Sequence, residues 1–299
     1  MQLNRLGKSE IKVSAIGFGA MSLSGNDMRN ESELVKIAYS KGINYFDTAD
    51  LYANGGNERL LGEALKGIRK DVIIATKVGN VWNESGPGWG WDVSRNYINR
   101  AVDASLKRLQ TDYIDLYQLH GGTVADNFDE VIETFERLIE CGKIRTYGLS
   151  SIRPNVFQYY SEKSSIISNM MQFSLLDTRP EEYLEFFEEH NVSVVARGVL
   201  AQGVLVDKDA KQYLELDRSM VAEVQRKVRF VAEESNVSST AVALYYVLRN
   251  RAVGSAIVGL RTISQLDELM LAYKEMDALK SIDSKELGTN LRYKEHRSL

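Results

Sequence analysis

The chain has 299 residues, of which 44% are hydrophobic and 26% are charged, and its formal net charge at pH 7 is -4. This composition is typical of a soluble globular protein with a sizeable core. The net negative charge argues against a nucleic-acid partner, because neutralising phosphates requires clustered Lys and Arg. The basic run at 225–229 lies in an amphipathic helical pattern and indicates a solvated helix face.

Cysteine and histidine usage limits the chemistry further. Cys141 is the only cysteine, so an intramolecular disulfide and a thiolate metal site are excluded. His120, His190 and His296 lack metal-ligand spacing, and we predict no metal.

The ends and the low-complexity content of the chain indicate its location and domain organisation. Residues 1–5 lack the apolar core of a signal peptide, and no apolar stretch approaches the roughly 20 residues that a membrane span needs. No Ser/Gly-rich or Pro-rich linker divides the chain. We therefore expect a cytoplasmic protein without a membrane partner, folded as a single domain over residues 1–299.

Short apolar runs alternate with amphipathic stretches along almost the whole chain. Several runs are rich in Val and Ile on both faces, as buried parallel strands are. Between the runs, apolar residues recur at helical spacing, as at Leu34, Ile37 and Ala38. The eight predicted strands cover residues 13–19, 45–48, 72–77, 114–119, 146–149, 169–173, 192–196 and 255–258.

Eight strands alternating with at least eight helices leave an open doubly wound sheet or a closed barrel. The even spacing, the count and the length favour a (β/α)8 TIM barrel of the α/β class. Residues 1–12 predict an added N-terminal β-hairpin, with its turn at 7–9, that covers the bottom of the barrel. The long stretch between the seventh and eighth predicted strands has room for an irregular loop near 207–216 and two extra helices.

Four chemically useful side chains stand where consecutive predicted strands end, which in this fold is the active-site face. Asp47 and Tyr52 follow the second strand, Lys77 ends the third and His120 ends the fourth. Taken singly, an Asp after a strand commonly caps a turn, Tyr52 is one of 15 tyrosines, and a structural role for His120 is an even alternative. Lys77 is harder to explain, because a Lys ending an apolar strand must direct its charge to water, a partner or a site. Together the four residues predict a catalytic site.

These four residue types form a coherent chemical group. An ammonium next to a phenol stabilises the phenolate, and a carboxylate keeps the ammonium charged and in position. Tyr52 can then donate a proton while His120 hydrogen-bonds the substrate oxygen. Such a group would polarise a carbonyl as a hydride arrives from a bound cofactor.

At these residues the sequence resembles the aldo-keto reductase family, and in particular its bacterial oxidoreductases. The resemblance extends over almost the whole chain, and the combination of its motifs is far more specific than any one of them. The matching segments are residues 17–21, 44–52, 75–77, 112–120, 144–150 and 259–261.

The resemblance implies an NADPH-dependent reductase that converts aldehydes or ketones into alcohols. It makes Tyr52 the general acid, Lys77 and Asp47 the groups that favour its ionisation, and His120 the group that orients the carbonyl. NADPH is expected to lie extended across the barrel mouth.

The resemblance also implies a set of cofactor contacts around the rim. Ser150 and Gln172 match positions that hold the nicotinamide carboxamide, and residues 198–203 match a loop beside the pyrophosphate. Arg261 is the best candidate for a contact with the 2′-phosphate. The complete implied set is Met21, Asp47, Ser150, Ser151, Gln172, Arg197, Gly198, Leu200, Gly203, Gly259, Arg261 and Gln265.

Three residues depart from the family's common pattern. Ser151 stands where Asn is frequent, Arg197 where many members have a Tyr that stacks on the nicotinamide, and Leu269 where Asn is common near the adenine. A planar guanidinium can also stack, so Arg197 is compatible with cofactor binding. None of the four catalytic positions departs.

All three tryptophans lie in the Gly-rich stretch at 81–91, after the third predicted strand. Aromatic side chains that pin this loop to the barrel are one explanation. A wall facing the substrate is the favoured one at this position. We therefore predict that Trp82, Trp89 and Trp91 contact the substrate and set its size.

Two other functions stay open at this point. One is a cofactor-binding sensor or regulatory subunit with low turnover. The other is an aldolase that forms a Schiff base on Lys77, against which the Asp47–Tyr52 match counts. The sequence does not specify the carbonyl substrate or the direction of the reaction, and we expect a monomer or a weak homo-oligomer.

Overall fold

The computed structural model describes residues 1–23, 25–83, 87–280 and 287–293. In chain order its strands are β1 Leu3–Arg5, β2 Lys12–Ser14, β3 Ile16–Gly19, β4 Tyr45–Asp47, β5 Ile73–Val78, β6 Asn80–Trp82, β7 Trp89–Trp91, β8 Ile114–Leu119, β9 Ile144–Leu149, β10 Ser168–Gln172, β11 Ser193–Arg197 and β12 Val253–Gly259. Its α-helices are α1 Met28–Ser40, α2 Gly56–Leu65, α3 Arg95–Leu109, α4 Phe128–Glu140, α5 Pro154–Lys163, α6 Leu184–Glu189, α7 Arg218–Glu234, α8 Ser239–Leu248 and α9 Ile263–Glu275.

The parallel strands close into a barrel in the order β3, β4, β5, β8, β9, β10, β11 and β12, and β12 pairs with β3. The (β/α)8 prediction is therefore confirmed. Because all these strands are parallel, their carboxyl ends meet at one mouth of the barrel.

The helices form around the barrel because each has an apolar face, and α1, α3, α4, α7, α8 and α9 also begin with a side-chain cap. In α4 the side chain of Asn127 accepts a hydrogen bond from the backbone N–H of Glu130, which satisfies an otherwise unpaired donor. Val131, Phe135 and Leu138 then recur at helical spacing and are buried. The buried apolar face of this helix packs toward the strands of the barrel.

Strand alternation divides the barrel interior into an apolar lower layer and a polar upper layer. On β4, Tyr45 belongs to the apolar cluster inside the barrel, Phe46 packs outward, and Asp47 points inward again at the mouth. Strands β5, β8, β10 and β11 repeat this arrangement. Pairs of lower apolar and upper polar residues are Ala75 and Lys77, Leu116 and Gln118, Met170 and Gln172, and Val195 and Arg197.

The N-terminal hairpin covers the lower end of the barrel, as predicted. β1 pairs with β2 in antiparallel register, and Leu6, Ile11 and Val13 join the apolar cluster inside the barrel. Gly7 adopts φ +49°, and a Cβ there would come within 2.3 Å of the Ile167 carbonyl oxygen, so only glycine fits this turn.

The predicted first strand at 13–19 is wrong in its boundaries. Residues 12–14 pair with β1 in the hairpin, whereas residues 16–19 pair with β12 in the barrel. The chain therefore changes its pairing partner at Ala15. A continuous apolar run conceals this change because both strands bury their side chains.

The other predicted additions also occur. Between β11 and β12 lie α7 and α8, preceded by an irregular stretch over 204–217 that holds one isolated bridge between Tyr213 and Leu216. Residues 287–293 lie against the loop after β10, where the Thr178 hydroxyl donates to the Thr289 carbonyl at 2.6 Å. The end of the tail, 294–299, lies outside the described residues. None of the helices in the described ranges is long and apolar enough to cross a membrane.

Candidate active site

The barrel register brings the four predicted catalytic residues together at the mouth. Asp47 is the last residue of β4, Lys77 is the fifth residue of β5, and His120 directly follows β8. Lys77 and Gln118 are Cα partners across β5 and β8. Tyr52 begins the 3-10 turn Tyr52–Gly55 that follows β4.

Lys77 is fully buried and forms an ion pair with Asp47, Nζ to Oδ1, at 2.6 Å. Its ammonium also donates to the Thr48 carbonyl at 2.6 Å. The other carboxylate oxygen of Asp47 accepts from the Gln118 side-chain amide at 3.2 Å. These contacts satisfy both charges, which a buried pair requires in order to stay ionised.

The electrostatics keep the Lys77 side chain protonated. Burial alone favours the neutral amine, but Asp47 and then Tyr52 raise the pKa of Lys77 above its ordinary value. Burial raises the pKa of Asp47, and the charge and hydrogen bond of Lys77, together with the Gln118 hydrogen bond, oppose that change. The Lys77 ammonium is therefore held in its charged form where it faces Tyr52.

Tyr52 lies between Lys77 and His120. The Lys77 Nζ atom is 5.1 Å from the centroid of the Tyr52 ring. The rings of Tyr52 and His120 meet edge to face, with centroids 5.9 Å apart and an interplanar angle of 85°. Tyr52 is half-buried at the mouth of the barrel.

His120 is held in its neutral form. Burial, followed by the charges of Lys77 and Arg197, lowers the pKa of His120 from 6.5 to about 3. Its Nδ1 atom is buried and has no hydrogen-bond partner among the described residues. A neutral imidazole can hydrogen-bond a substrate oxygen without transferring a net charge.

A second carboxyl group, Asp50, lies beside this group and was not predicted from the sequence. Asp50 lines a cavity of about 290 Å³ between the Tyr52 turn, β6 and α3. Burial and then the charge of Glu58 raise the pKa of Asp50 to about 7, although Arg108 and Lys77 oppose this. Its Oδ1 atom is buried without a hydrogen-bond partner in the described part of the chain.

The raised pKa of Asp50 predicts a pH-dependent loss of stability. The unfolded chain releases this proton near pH 4 and the folded protein near pH 7, so stability falls as the pH rises between them. Replacing Asp50 by Asn removes the effect. We expect the stability advantage of Asp50→Asn over the wild type to grow by about 2–3 kcal/mol between pH 5 and pH 8, measured by urea unfolding.

The matched control for this experiment is Asp71→Asn, which removes an exposed carboxyl group outside the site. It should leave the pH dependence of unfolding unchanged. An advantage of Asp50→Asn that is constant with pH would contradict the buried, titrating carboxyl group.

Of the residues predicted to bind cofactor, Gln172 and Arg197 lie next to the catalytic group. The Arg197 guanidinium donates to the Gln172 Oε1 atom at 3.2 Å, and the Gln172 amide donates to the Tyr213 hydroxyl at 2.8 Å. The exposed Arg197 is also near enough to lower the pKa values of Asp47 and His120.

Ser150 and Ser151 follow β9 on the same rim. The Ser150 N–H donates to the Leu119 carbonyl at 2.8 Å, which fixes it beside the end of β8. Ser151 is buried, and its backbone N–H and carbonyl both bond to the Asn169 side chain, at 3.2 and 3.0 Å. The hydroxyl of Ser151 accepts from the Arg153 N–H at 3.3 Å.

The remaining predicted cofactor residues lie farther around the mouth. Gly198, Leu200 and Gly203 form tight turns after β11, with Gly198 at φ +70° and Gly203 at φ +87°. Met21 is 70% exposed in the turn after β3.

Gly259 is the last residue of β12, Arg261 precedes α9, and Gln265 lies in the first turn of α9. The Gln265 Oε1 atom accepts from the Arg261 backbone N–H at 2.9 Å. The Arg261 side chain is exposed. The Ser22 hydroxyl donates to the Leu260 carbonyl at 2.8 Å, which joins this segment to the Met21 turn.

The three tryptophans belong to the small antiparallel hairpin of β6 and β7. Trp82 and Trp89 are cross-strand partners that meet edge to face, 6.0 Å apart, and are 41% and 57% exposed. Trp91 packs against Gly79 and Gly121 instead, and its indole N–H donates to Asp126 at 2.8 Å. Residues 84–86 of the predicted Trp loop lie outside the described residues.

Sequence reasoning missed the residues that support the predicted ones. Gln118 holds Asp47, Asn169 holds Ser151, and Tyr213 holds Gln172. Gln118 and Asn169 carry a detectable signal, because each is a polar residue within an otherwise apolar strand. Within the described ranges no cluster of His, Cys, Asp and Glu could hold a metal ion, and His296 lies outside them.

A closed (β/α)8 barrel with this Asp, Tyr, Lys and His group at its mouth is the architecture of a barrel oxidoreductase. The family model for the aldo/keto reductase family matches residues 15–286. The chain therefore belongs to the aldo/keto reductase family, whose members are oxidoreductases that use nicotinamide cofactors. The resemblance described from the sequence is thereby confirmed.

Individual relatives agree with this membership. The chain is 45% identical to an uncharacterized oxidoreductase, YqkF, of Bacillus subtilis, with 100% of both chains covered. It is 42% identical to the aldo-keto reductase AKR11C1 from Bacillus halodurans in its holo form, with a TM-score of 0.88 and 100% of both chains covered. It is also 29% identical to a probable voltage-gated potassium channel subunit beta of Arabidopsis thaliana, over 94% of both chains.

Proposed function

We propose that this protein reduces aldehydes or ketones to alcohols with NADPH, and that Tyr52 is the proton donor. The observation that carries the proposal is the Lys77 ammonium, which Asp47 holds in place by a buried ion pair and which faces the ring of Tyr52. A phenol in this position can release its proton to a carbonyl oxygen, because the ammonium stabilises the negative charge left behind.

His120 completes this arrangement. Because its pKa is about 3, the imidazole is neutral at physiological pH and can orient the carbonyl oxygen by a hydrogen bond without competing as an acid. The carbonyl is then polarised between the Tyr52 hydroxyl and the His120 ring. In this arrangement His120 orients the carbonyl, and Tyr52 alone donates the proton.

The rim residues fit a nicotinamide cofactor, which supplies the hydride when it is bound. Gln172 and Ser150 offer amide and hydroxyl groups beside the catalytic group, and Arg197 offers a planar cation suited to stacking. Backbone at positive φ in Gly198 and Gly203 allows a phosphate to approach closely. We propose these residues, with Met21, Leu200, Gly259 and Gln265, as the cofactor site.

Arg261 is the proposed contact for the 2′-phosphate that distinguishes NADPH from NADH. Its exposed guanidinium stands at the amino end of α9, where the helix dipole also favours an anion. We expect Arg261→Ala to raise the Kd for NADPH about 10- to 100-fold and to change the Kd for NADH by less than about twofold, measured by fluorescence titration.

Arg251→Ala is the matched control, because Arg251 is an exposed arginine that precedes the same strand at its other end. It should leave both Kd values unchanged. Equal losses for NADPH and NADH in Arg261→Ala would exclude the 2′-phosphate contact.

For the substrate, we propose that Trp82 and Trp89 form an apolar wall at the mouth, because both are substantially exposed beside the Tyr52 turn. Trp91 was predicted to share this role. Its packing on Gly79 and Gly121 supports a role as the anchor of that wall.

The proposed reaction is tested by incubating the protein with a panel of small and bulky aldehydes and ketones, with NADPH and with NADH, and following nicotinamide absorbance. We expect turnover with NADPH that exceeds turnover with NADH. Absence of turnover for every carbonyl with both cofactors would overturn the proposal.

A second candidate function is a cofactor-binding regulatory subunit with low turnover. It is favoured by the relatives described as probable channel subunits, at 28–29% identity over more than nine-tenths of this chain. It predicts tight NADPH binding together with slow turnover throughout the same panel.

The aldolase alternative is disfavoured by the surroundings of Lys77. Its amine is fully buried, bonded to Asp47 and Thr48, and kept protonated, whereas a Schiff base requires a neutral, accessible amine.

A further inference from the structure

The short strand β6, residues Asn80–Trp82, contacts the backbone on both sides of the catalytic group. The Asn80 side-chain amide donates to the carbonyl of His120 itself, at 3.0 Å. The Trp82 indole N–H donates to the carbonyl of Leu51, the residue before Tyr52, at 2.9 Å. Asn80 and Trp82 are two residues apart on one strand, so their side chains lie on the same face.

The backbone that follows each of these catalytic residues leaves regular structure at once. After Tyr52, the chain passes through Ala53, Asn54 and Gly55 with φ values of +48°, +50° and +77°. The first two are non-glycine residues in the left-handed region, which is strained and persists only where the surroundings hold it. After His120, Gly121 and Gly122 adopt φ values of +136° and +104°. The strained turn after Tyr52 therefore needs support from outside its own strand, and the two glycines after His120 leave that segment little rigidity of its own.

The hairpin is itself firmly attached, so it can give that support. The Asp92 N–H donates to the Gly79 carbonyl at 3.0 Å and closes the base of the hairpin. The Trp91 ring lies against Gly79 and Gly121, and its N–H bonds to Asp126. β6 is consequently fixed to the barrel rim at the end where Asn80 lies.

We propose that β6 braces the active site: Asn80 and Trp82 are positioning residues that set the separation of Tyr52 and His120 through the Leu51 and His120 carbonyls. Neither side chain needs to touch the carbonyl substrate or the cofactor for this role. Trp82 thus has a function through its indole N–H that is separate from the apolar wall formed by its ring. The inference rests on the proposed roles of Tyr52 and His120.

The kinetic test compares Asn80→Ala, which removes one brace, with Trp82→Phe, which removes the other and keeps an aromatic ring. We expect each variant to lower kcat about 10-fold while KM for the carbonyl and for NADPH changes by less than about twofold. Because both side chains set the same separation of Tyr52 and His120, the fold-decrease in kcat of the double variant should be smaller than the product of the two single decreases.

Asn83→Ala is the matched control within the same hairpin. The Asn83 amide also donates to a backbone carbonyl, that of Pro87 at 3.1 Å, but this bond touches neither catalytic segment. Its kcat should equal that of the wild type. A wild-type kcat in both Asn80→Ala and Trp82→Phe would overturn the proposal that β6 braces the active site. A rise in KM without a fall in kcat would also overturn it, because that is the result expected for residues that only contact the substrate.

Hydrogen–deuterium exchange of the cofactor-free protein gives a readout that needs no turnover. Amide exchange over 51–56 should quicken in Trp82→Phe, and exchange over 120–123 should quicken in Asn80→Ala, with no change in Asn83→Ala. Unchanged exchange in both segments would contradict the brace even if kcat fell. If the wild type reduced no carbonyl, the proposed function would fail, whereas the exchange result would still decide whether β6 holds these segments.

Discussion

Replacing Tyr52 by Phe is expected to lower kcat about 10²- to 10⁴-fold while the Kd for NADPH stays close to that of the wild type. The substitution removes only the hydroxyl group, so the ring remains to pack against His120 and to face Lys77. The loss would be a loss of proton donation rather than of binding or folding. Steady-state kinetics and a fluorescence titration of NADPH measure the two quantities on one preparation.

Tyr39→Phe is the control, because it removes a phenolic hydroxyl from a half-buried tyrosine on the outer helix α1. It should have wild-type kcat. A Tyr52→Phe enzyme that turned over as fast as the wild type would remove Tyr52 from the role of acid.

The second large effect is expected at the buried ion pair. Lys77→Met leaves Asp47 buried with Gln118 as its remaining side-chain hydrogen bond, and Asp47→Asn leaves the Lys77 ammonium without its counter-charge. Each single variant should lose about 3–5 kcal/mol of unfolding free energy, because an unpaired charge stays in the barrel interior. The loss of unfolding free energy in the double variant should be smaller than the sum of the two single losses by about 2 kcal/mol or more.

The control cycle uses Lys143 and Asp103, an ion pair at 2.5 Å whose side chains are 34% and 57% exposed. Solvent screens this pair, so we expect a coupling energy of about 1 kcal/mol or less. Equal coupling in the two cycles, both measured by denaturant unfolding, would contradict the buried, charged state of Lys77 and Asp47.

The fold and the positions of the proposed catalytic residues could be predicted from the sequence because both depend on local pattern. Short apolar runs in the sequence indicate buried parallel strands, and parallel strands bring their carboxyl ends to one face of the barrel. Asp47, Lys77 and His120 could therefore be assigned to one mouth from their positions at strand ends alone. The other predicted strands differ from the observed ones by no more than two residues at their ends, but at Ala15 two strands with different partners share one apolar run and were predicted as one.

The supporting contacts were not accessible, because they join residues far apart in the chain through side-chain geometry. Nothing in the sequence around Asn80 indicates that its amide reaches the carbonyl of His120, 40 residues later. The raised pKa of Asp50 likewise depends on its burial and on the charge of Glu58, which α2 brings to it. The different environments of Trp82 and Trp91 follow from the register of the hairpin, which composition does not reveal.

The most direct test of the central claim follows the label from NADPH deuterated at the transferable C4 position. After incubation with an aldehyde, the alcohol is analysed by mass spectrometry. The proposed reaction predicts one deuterium on the carbinol carbon for each alcohol formed, and none when unlabelled NADPH is used in deuterated water. An alcohol without this deuterium, or NADPH that binds and is never consumed, would contradict carbonyl reduction at Tyr52.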